Sequence, residues 1–262
     1  MWNTTFEENL KHLTFACKNG TVSAYKEYHV YLISISKPNQ TDNETILINA
    51  SQRIALHDLE TDGLKSHIFD RIVFNAELLV LDNCHVSQPF YEMVQKLFPK
   101  ITYLYFDVEG ESPMLNSQPK VPPSFINFTD LLNALPKIQQ ITSTHYHNAN
   151  WISEILQVKD HSVVDLHLCY GRVEQCDEFD YNLLLAFLKV QRTGFRLALT
   201  FCQLKVQRFD GKLMRFVDQN LLRGCGPKQM DSNGRARWTR TRVTVSTGAN
   251  IYLTWWLPLD ND

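Results

Sequence analysis

The sequence lacks a long apolar run and a recognisable targeting segment. None of its 262 residues belong to an apolar stretch approaching the ~20 residues of a membrane-spanning helix, so we expect no membrane partner. The first segment, MWNTTFEENLKHLTFACKNG, carries acidic side chains and has no basic region followed by an apolar core, so we expect no signal peptide. These features favour a cytoplasmic or nuclear protein.

Cysteine is too sparse for a disulfide framework. Such frameworks belong to small, secreted, cysteine-dense chains, whereas this chain has 6 cysteines in 262 residues. We therefore expect free thiols, and those beside predicted strands (Cys84, Cys169 and Cys202) should pack as small buried hydrophobes. The N-x-S/T sequons are glycosylation acceptors only in a secreted chain, so we expect them to be unmodified.

Catalytic and metal-binding motifs are also missing. There is no G-x-S-x-G elbow, no P-loop and no dinucleotide-binding fingerprint. Histidine and cysteine are concentrated between residues 145 and 176, but none of them has the pair spacing of a structural zinc site. The sequence thus predicts no enzyme, no cofactor and no metal. The residues of that concentration are His145, His147, His161, His167, Cys169 and Cys176.

A short strand pattern recurs along the chain. It follows the template apolar-x-x-L-x-L-x-x-N/C, which is typical of leucine-rich repeats. Its central apolar residues are separated by 25, 37, 25 and 31 residues, against about 20–29 for such repeats. The longest interval contains residues 109–123, a segment of loop composition. The central residues are Leu79, Leu104, Ile141, Leu166 and Leu197.

The pattern predicts an α/β fold, namely an irregular leucine-rich-repeat-like solenoid of parallel strands with crossover helices. A β-hairpin is expected at each end, from residues 29–36 with 45–49 and from Arg242–Ser246 with Ile251–Trp256. An ordinary non-repetitive α/β fold remains the alternative. We expect a single domain, 1–262, with an N-terminal cap region 1–70, βα repeats over 71–202 and a basic helix and hairpin over 203–262.

The residues between the core positions of each strand should form one exposed face, since side chains alternate across a strand. In a curved solenoid this face is concave and serves for recognition. The chemically mixed set predicts a protein partner and fits no obvious small ligand. These candidate partner-binding residues are Val80, Tyr105, Thr142, His167 and Ala198.

The basic residues are unevenly distributed. Residues 203–242 hold ten basic and three acidic side chains, whereas the whole chain has a formal net charge of −2. An aromatic ring among arginines can stack on a nucleic-acid base, but arginines also protect sheet edges from association, and an acidic protein would match the same charge. Nucleic acid is the less favoured partner. The candidate basic patch is Arg235, Arg237, Trp238, Arg240 and Arg242.

Four segments carry a resemblance to a known family, namely AELLVLDNCHVS, FPKITYLYFD, LPKIQQITST and FDYNLLLAFLKVQRTGFRLALTF. Over roughly residues 70–220 the chain resembles the FTH-type regions of nematode F-box-associated proteins. The resemblance implies a non-enzymatic scaffold that recruits substrates to an SCF-type ubiquitin ligase through a Skp1-like adaptor. Residues 1–60 depart from the family, because they contain no Leu-Pro dipeptide and no recognisable F-box.

Overall fold

The protein is described by a computed structural model. The described residues are 7–18, 21–26, 32–33, 47–107, 124–144, 146–170, 179–201, 211–230, 236–247 and 252–258. The predicted loop at 109–123 lies outside them, and so do His145, Cys176, Cys202 and Arg235.

Strands and helices alternate through the central part of the chain, as the sequence predicts. The strands of the first half are β1 Glu7–Lys18, β2 Thr21–Lys26, β3 Leu32–Ile33, β4 Leu47–His57, β5 Ile72–Phe74, β6 Leu78–Asp82 and β7 Tyr103–Asp107. Those of the second half are β8 Gln140–Thr144, β9 Asp165–Tyr170, β10 Arg196–Phe201, β11 Leu222–Arg223, β12 Lys228–Met230, β13 Ala236–Trp238, β14 Arg242–Thr247 and β15 Tyr252–Trp256. The α-helices are α1 Gln88–Leu97, α2 Phe128–Ala134, α3 Trp151–Leu156, α4 Tyr181–Val190 and α5 Lys212–Asn220, with 3-10 turns at Gly63–Lys65 and His67–Arg71.

One 13-stranded sheet organises the molecule. Its order is β11-β15-β14-β10-β9-β8-β7-β6-β4-β1-β2-β3, and β5 pairs with β4. The pairings that run from β1 through β4, β6, β7, β8, β9 and β10 to β14 are all parallel. The fold is therefore mixed α/β with a mostly parallel sheet. Strands β12 and β13 form a separate antiparallel pair.

The predicted repeat register is confirmed. Leu79 pairs with Leu104, Leu104 with Ile141, Ile141 with Leu166, and Leu166 with Leu197. All five residues have 0% or 1% of their surface exposed. The spacing of apolar residues in the sequence therefore predicted which strands are neighbours.

The entries into three successive strands, β7, β8 and β9, share one backbone hydrogen-bond pattern. Phe98 and Leu135, the residues before the two Pro-Lys-Ile segments, have φ/ψ of −123/64° and −124/62°. At the start of the next strand, two consecutive backbone N–H groups donate hydrogen bonds to a single carbonyl. That carbonyl belongs to the residue just before the preceding strand. This happens at the carbonyls of Glu77, Thr102 and Gln139, with distances of 2.8–3.1 Å.

The helices pack on one face of the sheet. Side chains that point to this face form apolar rows across the strands, and the buried residues of all five helices belong to the same core cluster. Local capping sets where three of the helices begin, because the side chains of Ser87, Asn127 and Asp180 accept hydrogen bonds from the first backbone N–H groups of α1, α2 and α4. Asn127, a sequon residue, thus has a structural role.

The C-terminal hairpin is confirmed, and the N-terminal one is wrong. Strands β14 and β15 pair antiparallel, with Val243 opposite Trp255. At the other end the hairpin consists of β1 and β2, whereas Leu32–Ile33 pairs with β2 and Leu47–His57 runs parallel to β1. One edge of β4 is paired with β1. The polar linker at residues 37–44 does not indicate this pairing, because it only suggests that the two segments beside it form a hairpin.

Candidate recognition site

The face of the sheet opposite the core, here called the open face, carries no helix in the part of the chain that the structure describes. Its buried apolar residues Ala55, Val80, Cys169 and Ala198 are not members of the core cluster. Parallel sheets in α/β proteins are normally covered on both faces. Among the described residues the helices cover one face of the sheet only, so the strands themselves form the surface of the open face.

The five predicted partner-binding residues form one row across this open face. Val80 pairs with Tyr105, Tyr105 with Thr142, Thr142 with His167, and His167 with Ala198. Val80, Thr142 and Ala198 are only 6–8% exposed, because neighbouring side chains in adjacent strands cover one another. Tyr105 and His167 are half-buried, so they contribute most of the row's accessible surface. Their placement is as predicted, and their role in binding stays a prediction.

A hydrogen-bonded chain of polar side chains lies beside this row, toward the carboxyl ends of the strands. His167 Nε2 lies 2.7 Å from the Thr200 hydroxyl, which is in turn 2.7 Å from the Ser246 hydroxyl. Cys169 Sγ is 3.7 Å from the same histidine nitrogen. Thr144 donates to Asp107 Oδ1 at 2.9 Å. The sequence analysis did not select Thr144 and Thr200, although they stand two positions after the row residues Thr142 and Ala198. It also did not select Ser246, which pairs with Thr200 on the neighbouring strand β14.

The charges at this carboxyl-end side are acidic. Asp82 is 6% exposed and pairs with His57 Nδ1 at 2.8 Å. Its register partner on the next strand is Asp107. The open face is thus acidic where β6 and β7 end.

Burial controls the protonation of the two most accessible row residues. Burial lowers the pKa of His167 below its ordinary value of 6.5, and the nearby Arg196 adds to this effect. Burial also raises the pKa of Tyr105 to about 12, with a further contribution from Asp107. Both side chains are therefore uncharged at neutral pH, so the centre of the row can bind a partner by hydrogen bonding and packing.

The amino-end side of the open face holds the basic groups. Asp165, Arg196 and Arg242 are the first residues of β9, β10 and β14, and they are aligned in register. Arg196 donates from Nε to Asp165 Oδ1 at 2.9 Å and from a terminal nitrogen to the other carboxylate oxygen. The sequence analysis did not select Asp165 or Arg196. An alignment of the repeats places both at the same position, the first residue of the strand.

The predicted basic patch is brought together only in part. The guanidinium of Arg242 lies 4.2 Å from the centre of the Trp238 ring, and the ammonium of Lys228 lies 4.0 Å from it. Arg240 lies close in sequence and is partly buried. Arg237 is on β13, but its side chain lies outside the description, as does the whole of Arg235. Trp238 is thus already in contact with two cations, which leaves less of its ring for a nucleic-acid base.

The histidine-rich segment is divided between the two sides of the sheet. His147 Nδ1 lies 3.2 Å from the hydroxyl of Ser143, a core-face residue, and its ring packs on Tyr170. His167 points to the open face instead. Among the described residues no group of three or more histidine, cysteine or acidic side chains could hold a metal ion.

The three cysteines with described side chains, Cys84, Cys169 and Cys225, form no disulfide with one another. Cys84 and Cys169 are buried, and Cys225 is exposed. Burial raises the pKa of the Cys84 thiol to about 12. This thiol stays protonated and packs in the core, as the sequence predicts for cysteines beside strands.

In the described part of the chain, no helix combines the length and apolarity needed to cross a bilayer.

Similarity to known proteins gives no further indication of the site. No family model matches the chain, and no curated protein or solved structure is significantly similar to it.

Proposed function

We propose that the chain is a non-enzymatic recognition protein that binds a protein partner on the open face of its sheet. The observation that carries this proposal is the row from Val80 to Ala198, which runs across five adjacent parallel strands on the side without described helices. A row of mixed side chains across five strands suits the extended contact area of a protein interface.

The proposal includes the finer fold, an irregular leucine-rich-repeat-like solenoid. The shared geometry at Phe98 and Leu135 supports it, as does the pairing of two N–H groups with one carbonyl at the entries of β7, β8 and β9. Solenoids use the strand-lined side as an extended binding surface. The open face is that side in this chain.

Recruitment of substrates to an SCF-type ubiquitin ligase is the more specific form of this function. The resemblance of residues 70–220 to F-box-associated proteins supports it. In that role the open face holds the substrate, and a Skp1-like adaptor connects the chain to the ligase. The adaptor would have to bind without a recognisable F-box in residues 1–60.

Affinity capture from native cells tests the binding face. The bait is the full chain, and it is compared with Tyr105→Glu, which places a charge in the centre of the row. The matched control is Asn133→Glu, an equal charge change at an exposed position of α2. We expect mass spectrometry to find partners that bind the wild type and the control but not Tyr105→Glu. Equal capture by all three proteins would overturn the proposal, and a Skp1-like subunit among the retained proteins would support the ligase role.

Nucleic-acid binding is the second candidate, because Arg242 and Lys228 place two cations around the Trp238 ring and cationic side chains bind phosphates. The occupied ring itself counts against stacking on a base. If the patch contacts phosphates, affinity for single-stranded RNA or DNA should fall steeply with salt. Arg237→Gln with Arg240→Gln should reduce the salt slope by about one to two units. No retention in a filter-binding titration at low salt would eliminate this function.

A further inference from the structure

The amino-end side of the open face contains an unbalanced group of charges, here called the amino-end cluster. It comprises Asp165, Arg196, Lys228, Trp238 and Arg242, which are joined by register pairing and by direct contact. Three of these side chains are cationic, and one is a carboxylate. The cluster therefore carries a formal charge of about +2 within a chain whose formal net charge is −2.

The single carboxylate is already used by one of the arginines. Asp165 accepts two hydrogen bonds from Arg196 in a forked arrangement, which is the strong geometry for this pair. Arg242 stands beside Arg196 on the neighbouring strand. Its Nε is buried and has no hydrogen-bond partner among the described residues.

Two like charges placed side by side on adjacent strands are unfavourable. Burial and then the charge of Arg196 lower the pKa of the Arg242 guanidinium, which agrees with this expectation. The Trp238 ring holds the guanidinium in place through a cation–π contact at 4.2 Å. Asp165, the carboxylate in register with these arginines, is paired with Arg196, so a carboxylate from another molecule could neutralise the partly exposed guanidinium of Arg242.

We infer that the amino-end cluster binds a side-chain carboxylate from an acidic segment of the protein partner, with Arg242 as the principal donor and Lys228 as the second cation. This inference rests on the proposed function and adds the chemistry of the partner. A carboxylate fits better than the phosphates of a nucleic acid, because Trp238 is already in contact with two cations and leaves less of its ring for a base.

Fluorescence anisotropy with labelled poly-L-glutamate tests the inference on the full chain. The variants are Arg242→Gln and, as a matched control, Arg215→Gln, which removes the same charge from an exposed position on α5. We expect wild-type binding at low salt, a loss of about tenfold in affinity for Arg242→Gln, and less than about a twofold change for Arg215→Gln. Circular dichroism and thermal unfolding verify that each variant is folded.

A third variant keeps the test decisive if Arg242→Gln does not fold. Arg242→Lys retains the charge and loses the planar fork, so we expect affinity to fall several-fold. The inference is overturned if wild type does not bind poly-L-glutamate, or if the Arg242 variants bind as well as the control. It is also overturned if labelled oligo-dT binds more tightly than poly-L-glutamate and is the probe that responds to Arg242, since that result assigns the cluster to nucleic acid.

This outcome is separable from that of the proposed function. If poly-L-glutamate binding fails while capture of partners still depends on Tyr105, the partner chemistry is wrong and the recognition face stands. If capture is insensitive to Tyr105→Glu but poly-L-glutamate binding depends on Arg242, the row is wrong and the carboxylate site stands.

Discussion

The two faces of the sheet are built from alternate residues of the same strands, yet they have opposite chemistry. On the core face, Leu104 and Leu166 are 0% exposed and belong to one continuous apolar cluster. On the open face, their direct sequence neighbours Tyr105 and His167 are half-buried and lie among hydroxyls, carboxylates and guanidiniums. Alternate residues of the same strands therefore separate into an apolar face that packs against the helices and a mixed, more polar face.

The largest expected effect comes from truncating an apolar side chain on the core face. Leu166→Ala removes a fully buried side chain from the centre of the sheet, so we expect a loss of about 2–5 kcal/mol in the free energy of unfolding. The neighbouring His167→Ala should cost only about 1 kcal/mol, chiefly through the lost hydrogen bond to Thr200. Urea unfolding measures both values. Equal losses would contradict the division of roles between the two faces.

A second test concerns Gly194, which lies in the turn between α4 and β10. Its φ is 81°, and a Cβ placed there would lie 2.7 Å from the Trp238 carbonyl oxygen. Gly194→Ala should therefore cost about 2–4 kcal/mol, from the left-handed backbone and from the close contact. The adjacent exposed Thr193→Ala is the control, with less than about 0.5 kcal/mol expected. A tolerated Gly194→Ala, with unchanged tryptophan fluorescence, would show that Trp238 does not pack closely on this turn.

The pH dependence of stability gives a separate test of the open face, through the protonation of His167. Its pKa in the folded protein lies below the ordinary 6.5, so the unfolded chain binds more protons as the pH falls. His167 thus contributes no penalty well above pH 6.5, and it destabilises the protein progressively as the pH falls through 6.5 toward the folded value. We expect His167→Gln to reduce the fall in thermal stability between neutral and mildly acidic pH. Parallel curves for wild type and variant would contradict this.

The smallest expected effect is that of Thr200→Val. This change removes the hydroxyl that links His167 to Ser246 at 2.7 Å on each side. The free energy of unfolding should fall by about 0.5–1.5 kcal/mol. Leu199→Val, one position away on the core face, serves as the comparison because it removes a single buried methylene and should cost about 1 kcal/mol through packing alone. Only Thr200→Val should change the pH dependence assigned to His167.

The strand pairing could be predicted because it depends on local pattern. The apolar spacing around Leu79, Leu104 and Leu166 determines which side chains must be buried together, and the register follows from that. The N-terminal hairpin could not be predicted in the same way. Whether β4 pairs with residues 29–36 or with β1 depends on competition between distant segments, and each candidate strand is locally plausible.

Only part of the candidate site could be predicted from the sequence. The row from Val80 to Ala198 follows from alternation alone. The amino-end cluster does not, because Arg196 and Arg242 are far apart in sequence and become neighbours only when β10 pairs with β14. The contact of Lys228 with Trp238 depends on the short β12–β13 pair in the same way.

Site-specific photocrosslinking tests the central claim, that the open face is the recognition surface, most directly. A photoreactive phenylalanine analogue is placed at Tyr105 in one protein and at Asn133, on the helix side, in another. Irradiation with partner present should give a crosslinked product from position 105 and none from position 133. Crosslinking from position 133 alone would assign recognition to the helices and contradict the account.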